Sequence, residues 1–179
     1  MTVLTVAVVF VGVLCLLDLV LTLGVVRRLR DHSERLATLQ APPDETAIAA
    51  QGDHITPFEA STVDGETISV ADLAEPTLVA FFSPDCPACV QQLPKFVDYA
   101  HTFPGGPART LIVITSRSGG AKYHAELTGL GRIVTEPELT GDVQKAFSTR
   151  GYPAFLVVVD GVVAQSSHAV ADLPQHQPA

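Results

Sequence analysis

Apolar positions recur along this chain with different periods. Residues 2–26, TVLTVAVVFVGVLCLLDLVLTLGVV, are an unbroken apolar run holding one charged side chain, Asp18. At ~1.5 Å of rise per residue, a helix of this length crosses a bilayer core of ~30 Å. The basic n-region, short h-region and small-residue cleavage site of a secretory signal are missing, so the run predicts a retained anchor, residues 1–26. Asp18 lies toward the arginine-bearing end, where a carboxylate is near the interface. Residues 54–73, HITPFEASTVDGETISVADL, then alternate on both sides of Asp64-Gly65, the signal of a β-hairpin. Residues 77–83, TLVAFFS, are continuously apolar, as in a strand covered on both faces. A helix is expected at 86–101, with Pro87 in its first turn.

Further on, residues 109–116 predict a second buried strand, 118–130 a helix, 131–136 a short strand and 139–150 a helix ending at Gly151. Residues 154–167 predict two strands joined at Asp160-Gly161. The order is hairpin, three strand-helix units, hairpin. That order predicts an α/β fold with a mixed central sheet and helices on its faces, because parallel crossovers lay a helix over the sheet. The domain is expected at 52–170, behind a basic juxtamembrane segment and polar linker at 27–51, with a flexible tail at 171–179.

Charge and cysteine content narrow the function classes. From residue 40 onward there are seven Lys/Arg against sixteen Asp/Glu, a net of −9 with no basic cluster. Such a surface repels phosphates and excludes nucleic acid as the expected partner. Three cysteines exclude a disulfide-stapled scaffold. Cys15 lies in the apolar run and reads as a small hydrophobe.

The other two, Cys86 and Cys89, lie in FFSPDCPACVQQLP, where the buried strand gives way to a helix. A dithiol redox centre needs one exposed thiolate and a second thiol close enough to attack the mixed disulfide. Spacing i, i+3 on the first helical turn supplies both. Cys86 falls at the helix N-terminus, where unpaired N–H groups and the dipole favour S⁻. Cys89 lies one turn in and suits the resolving role. A structural zinc site would need four ligands, usually two such pairs, and the domain has no second pair.

Strand, CPAC and Pro94 eight residues after Cys86 resemble the thioredoxin active-site helix. Gly151-Tyr152-Pro153-Ala154, directly before a strand, resembles the cis-proline loop of that fold. The whole plan, roughly residues 52–165 plus the anchor, resembles the TlpA/ResA/MauD-type membrane-anchored thioredoxin-like proteins, which add an N-terminal hairpin and a strand-helix insert. The resemblance implies a three-layer thioredoxin-like fold and a membrane-anchored thiol:disulfide oxidoreductase. Cys86 would be the nucleophile, Cys89 the resolving thiol, and Pro153, in cis, would shape the substrate loop. Tyr152, Pro87 and Ala88 are candidate substrate contacts. The expected partners are proteins carrying disulfides and an upstream thiol electron donor. No bound cofactor is implied, since the Cys86–Cys89 pair itself carries two electrons.

Departures from the pattern shape the chemistry. Pro84 and Asp85 stand where the family often has a tryptophan nearby, and this chain has none. The buried aspartate of thioredoxin corresponds to Ala80, and the glutamate of several TlpA/ResA-type members corresponds to Gln92. The proton acceptor for Cys89 is thus unassigned. Pro87-Ala88 and Asp85 stabilise a Cys86 thiolate less than strong oxidants do, so a reductant or moderate exchanger is expected. Peroxiredoxins, which share the fold, place Thr or Ser three residues before a peroxidatic cysteine, as Ser83 is, but want proline at the position of Val79. Thioredoxin-like copper chaperones combine two cysteines with a distant histidine, for which His168 is the candidate. Arg27, Arg28, Arg30 and Arg35 follow the anchor and argue for a cytoplasmic domain. The resemblance implies the extracytoplasmic side, which is the favoured expectation.

Overall fold

The computed structural model describes Gly12 and residues 47–116, 121–138 and 140–175. The chain divides into two units, Met1–Pro42 and Pro43–Ala179, and every element below belongs to the second. The expected anchor, basic segment and most of the linker lie outside the described residues. Among the described residues no helix is long and apolar enough to cross a membrane.

Strands β1 (Glu59–Ser61) and β2 (Thr67–Ser69) form the antiparallel hairpin expected around Asp64-Gly65. The connection spans residues 62–66, with Gly65 at a φ of 83°, a left-handed geometry that glycine adopts without steric cost. The main elements follow as β3 (Thr77–Phe82), α1 (Pro87–Thr102), β4 (Thr110–Thr115), α2 (Ala121–Leu127), β5 (Arg132–Glu136), α3 (Asp142–Ala146), β6 (Ala154–Val159) and β7 (Val162–Ser167). Their sheet has the order β5-β4-β3-β6-β7. β3 is parallel to β4 and β4 to β5, whereas β6 runs antiparallel to β3 and β7 to β6. This is the mixed sheet that the alternation of elements predicts. At the β6–β7 turn, Asp160 and Gly161 have φ of 53° and 70°, the pair of positive values a tight hairpin with the native strand twist requires.

Strand periodicity of two sorts the apolar side chains onto two cores. Leu78, Ala80, Phe82, Ile112, Ile114, Phe155 and Val157 face one way, against Cys89, Leu93 and Phe96 of α1 and Tyr123 and Leu127 of α2. Val79, Phe81, Leu111, Val113, Leu156 and Val158 face the other way, against Val143 and Ala146 of α3, Phe147, and Phe58 and Ile68 of the N-terminal region. All six residues of β3 are buried, as its continuous apolar run demands.

Both outer strands are met at one point by the chain itself. The segment ahead of β1 bridges to β7, with Gly52 N–H donating to the Val163 carbonyl at 2.8 Å and Ile55 N–H to that of Gly161 at 2.8 Å. On the far side Thr62 bridges to Val134, and Val63 N–H donates to the Ile133 carbonyl at 2.8 Å. Each contact blocks strand pairing at that point of the edge.

The packed region is longer at both ends than 52–170. Ala49 is 5% exposed and its N–H donates to the Phe147 carbonyl. Leu173, expected in the flexible tail, is 3% exposed in the core beneath α1, and the Pro174 carbonyl accepts from the Tyr99 hydroxyl at 2.8 Å. Short polar stretches around one or two apolar anchors carry no periodicity, so their docking is invisible to a pattern reading. The helices α2 and α3 are shorter than 118–130 and 139–150 predict.

Candidate active site

β3 delivers the chain to the C-terminal edge of the sheet, where Ser83 is still 5% exposed and Asp85 lies in solvent. Cys86 is the N-cap of α1, in extended backbone geometry, and its N–H donates to the Ser83 carbonyl at 3.1 Å. Pro87 is the first helical residue, where its missing N–H costs nothing, and the helix closes with Cys89 and Val90 N–H groups both donating to the Cys86 carbonyl. Pro94, inside α1, removes a further intrahelical donor.

This local geometry separates the two thiols. Both are reduced. Cys86 is half-buried, and its S–H donates to the Tyr152 carbonyl at 3.3 Å. Cys89 is fully buried, and its sulfur accepts the Ser83 N–H at 3.4 Å. Burial pushes the Cys89 thiol up to about 12; the Ser83 N–H acts the other way, and hydrogen bonding and charge at Cys86 raise it further. One thiol therefore meets solvent while its neighbour holds its proton. Pro87 and Ala88 are exposed beside Cys86.

Beneath the pair lies an aromatic cluster. The Phe82 ring centroid is 5.1 Å from that of Phe96, 5.6 Å from Phe155 and 5.9 Å from Tyr123. Aromatic pairs at such separations add to area burial, so the floor under the thiols is closely packed.

The second wall is the loop before β6. The Tyr152–Pro153 peptide is cis, as the resemblance implied, and Pro153 is buried while Tyr152 is half-buried. His168 Nδ1–H donates to the Pro153 carbonyl at 2.6 Å. The Tyr152 hydroxyl donates to Gln144 Oε1. Gln144, 2% exposed, donates in turn to the Pro137 carbonyl at 2.8 Å and to Glu136 Oε2 at 3.3 Å. Glu136, at the end of β5, accepts the N–H groups of Val143 and Gln144 at 2.8 and 3.1 Å and so caps the first turn of α3. The loop is thereby tied through the buried Gln144 and Glu136 to α3 and β5.

Cys86, Cys89, Tyr152 and Pro153 thus meet at one point, with Pro87 and Ala88 on its rim. Gln144 and Glu136 were not singled out in the sequence. They look like ordinary surface polars, and only their burial marks them. Gln92, at the position of the family glutamate, turns its Oε1 to the Val170 N–H at 3.4 Å, and Ala80 is buried in the sheet. Among the described residues, no group of three or more His, Cys, Asp and Glu is placed to hold a metal ion. The Nδ1 of His168, the copper candidate, is committed to the Pro153 carbonyl.

Solved structures share this fold. A putative thioredoxin from Neisseria meningitidis is 21% identical with a TM-score of 0.53, covering 69% of this chain and 83% of its own. The thioredoxin domain of a thiol-disulfide oxidoreductase from Bacteroides vulgatus is 16% identical with a TM-score of 0.52, over 69% and 92%. A thio-disulfide isomerase from Thermus thermophilus is 16% identical with a TM-score of 0.51, over 66% and 86%. The fold is thioredoxin-like. No curated protein sequence matches the chain. Residues 51–166 match the model of the AhpC/TSA family, and the chain belongs to that family.

Proposed function

We propose that this protein is a thiol:disulfide oxidoreductase, tethered to a membrane through residues 1–26, that reduces disulfides of partner proteins. The observation that carries this reading is the asymmetry of the pair: Cys86 half-buried against the Tyr152 carbonyl, and Cys89 fully buried one helical turn away. Cys86, as thiolate, attacks one sulfur of the substrate disulfide and expels the other. Cys89 then attacks Cys86 Sγ, releases the reduced substrate and leaves a Cys86–Cys89 disulfide, which an upstream thiol donor must reduce again. The Tyr152–Pro153 loop supports substrate docking, since its backbone lies against the nucleophile, with exposed Pro87 and Ala88 beside it.

The test uses the full chain in detergent with a protein disulfide as substrate. Cys86→Ser should abolish turnover, and Cys89→Ser should accumulate the mixed disulfide on Cys86. Turnover by Cys86→Ser at the wild-type rate would overturn the reading, and turnover of a hydroperoxide faster than of any disulfide would replace it with peroxide reduction. For sidedness, the resemblance supports an extracytoplasmic domain and the four arginines oppose it. Labelling of Cys86 in intact cells with an impermeant maleimide, in a Cys15→Ala background, decides between them.

A further inference from the structure

Resolution of the mixed disulfide asks a buried thiol to become an anion. Neither position that a carboxylate would occupy helps, because Ala80 has no polar group and the Gln92 side chain is turned to Val170. Cys89 sulfur is met by one backbone N–H, that of Ser83, and a single neutral donor leaves a buried thiolate poorly solvated.

Tyr123 lies on α2, which packs over the same core. It is 4% exposed and packs in the core that contains Cys89, its ring 5.9 Å from that of Phe82, one residue before Ser83. Its hydroxyl is buried without a hydrogen-bond partner, an uncommon state for a polar atom in a folded interior. Burial first, then charge on Cys89, Cys86 and Glu126, lifts the phenol to about 12. The hydroxyl therefore stays protonated, a donor rather than a base, in the same core as Cys89. The ionisable groups that act on Cys89 and Tyr123 are Cys86 at the N-cap of α1, Cys89 within it, and Tyr123 and Glu126 from α2.

We propose that the Tyr123 hydroxyl is the hydrogen-bond donor reserved for the Cys89 sulfur as it becomes a thiolate in the resolving step; this rests on the thiol:disulfide reading above. In that step the Cys89 S–H proton passes to the departing sulfur or to water. The Cys86 Sγ–Cys89 Sγ bond forms, the bond from Cys86 Sγ to the substrate sulfur breaks, and its electron pair leaves with the substrate, which ends as a thiol. Two cysteine thiols are oxidised and one substrate disulfide is reduced. Tyr123 is unchanged at the end.

The test is stopped-flow reaction of the reduced full chain with an aromatic disulfide that releases a coloured thiolate, 5,5′-dithiobis(2-nitrobenzoate). Attack by Cys86 releases the first coloured thiolate and attack by Cys89 on the adduct releases the second. In Tyr123→Phe the first phase should be unchanged. The second should slow by about ten- to a hundredfold, the worth of one hydrogen bond to a charged group, and its pH midpoint should rise. Urea stability of reduced Tyr123→Phe should equal or exceed wild type, because the deleted hydroxyl has no partner in that state. Equal second phases in the two proteins, or equal slowing of both phases, or a loss of stability, overturns the assignment. A wild-type chain that shows no second phase, or one that survives Cys89→Ser, overturns the thiol:disulfide reading as well.

Discussion

Raising the pH of the fully reduced protein from 8 to 11 should remove stability through Cys89. Its side chain is fully buried, and burial pushes the thiol up to about 12, whereas an unfolded cysteine ionises near 8.5. Between those values the unfolded chain releases the proton and the native chain keeps it. The unfolded state then binds fewer protons, so stability falls with rising pH. The contribution is fully present below about pH 8.5 and is lost as pH rises toward 12. At ~1.4 kcal/mol per pKa unit, roughly 3 kcal/mol is gone by pH 11, a large share of the ~5–15 kcal/mol that holds an ordinary domain folded. Tyr99 and Tyr123 are also raised by burial to about 12 and act in the same direction from about pH 10. The comparison is therefore with Cys89→Ala, which keeps both tyrosines and the burial that is the first cause of their shifts, removing only the share of the Tyr123 shift that Cys89 itself supplies. Urea unfolding under strict reduction at pH 8, 9.5 and 11 gives both curves. Wild type should lose roughly 3 kcal/mol more than Cys89→Ala between the extremes; parallel losses would refute the burial argument.

Other outcomes follow from the same geometry. Iodoacetamide at pH 8 should modify Cys86 and spare Cys89 until denaturant is added, which mass spectrometry of the tryptic peptides reads directly. Gln144→Leu removes one hydrogen bond from the buried Glu136 carboxylate and one from the Tyr152 hydroxyl. It should cost about 1–3 kcal/mol in urea unfolding and raise KM for protein disulfides more than it lowers kcat. A Cβ at Gly141 would collide with the Glu136 carboxylate and the Gln144 amide. Gly141→Ala should therefore displace the cap of α3 and lower Tm by several degrees, matching Glu136→Ala within error if the cap is the cause. Phe82→Ala, at the centre of the aromatic floor, should cost about 3–5 kcal/mol.

Much of the frame could be read from residue order alone, and the reasons are local. The apolar run at 77–83 has no wet face and so had to be a central strand, and Asp160-Gly161 permits the two positive φ values of a tight turn. Cys86, Pro87 and Cys89 lie within one turn of each other, so their relation is fixed by helix geometry. Tyr152 and Pro153, 66 and 67 positions beyond Cys86, reached the site only through resemblance, because strand pairing over such a separation leaves no periodic trace. Gln144, Glu136 and Tyr123 escaped altogether. A buried polar residue reads like an exposed one until its surroundings are known, and the second partner of each bond comes from a different element. The docking of residues 47–50 and 170–174 escaped for a related reason: single apolar anchors such as Ala49 and Leu173 are too sparse to show a period.

The two edges of the sheet bear on how this protein meets others. Gly52 to Ile55 meet the start of β7, and Thr62 and Val63 meet the middle of β5, so each flank of the sheet is crossed at one place by the chain's own backbone. A strand added along either edge would have to displace that contact, so growth of the sheet by edge pairing is opposed at residues 161–163 and 133–134.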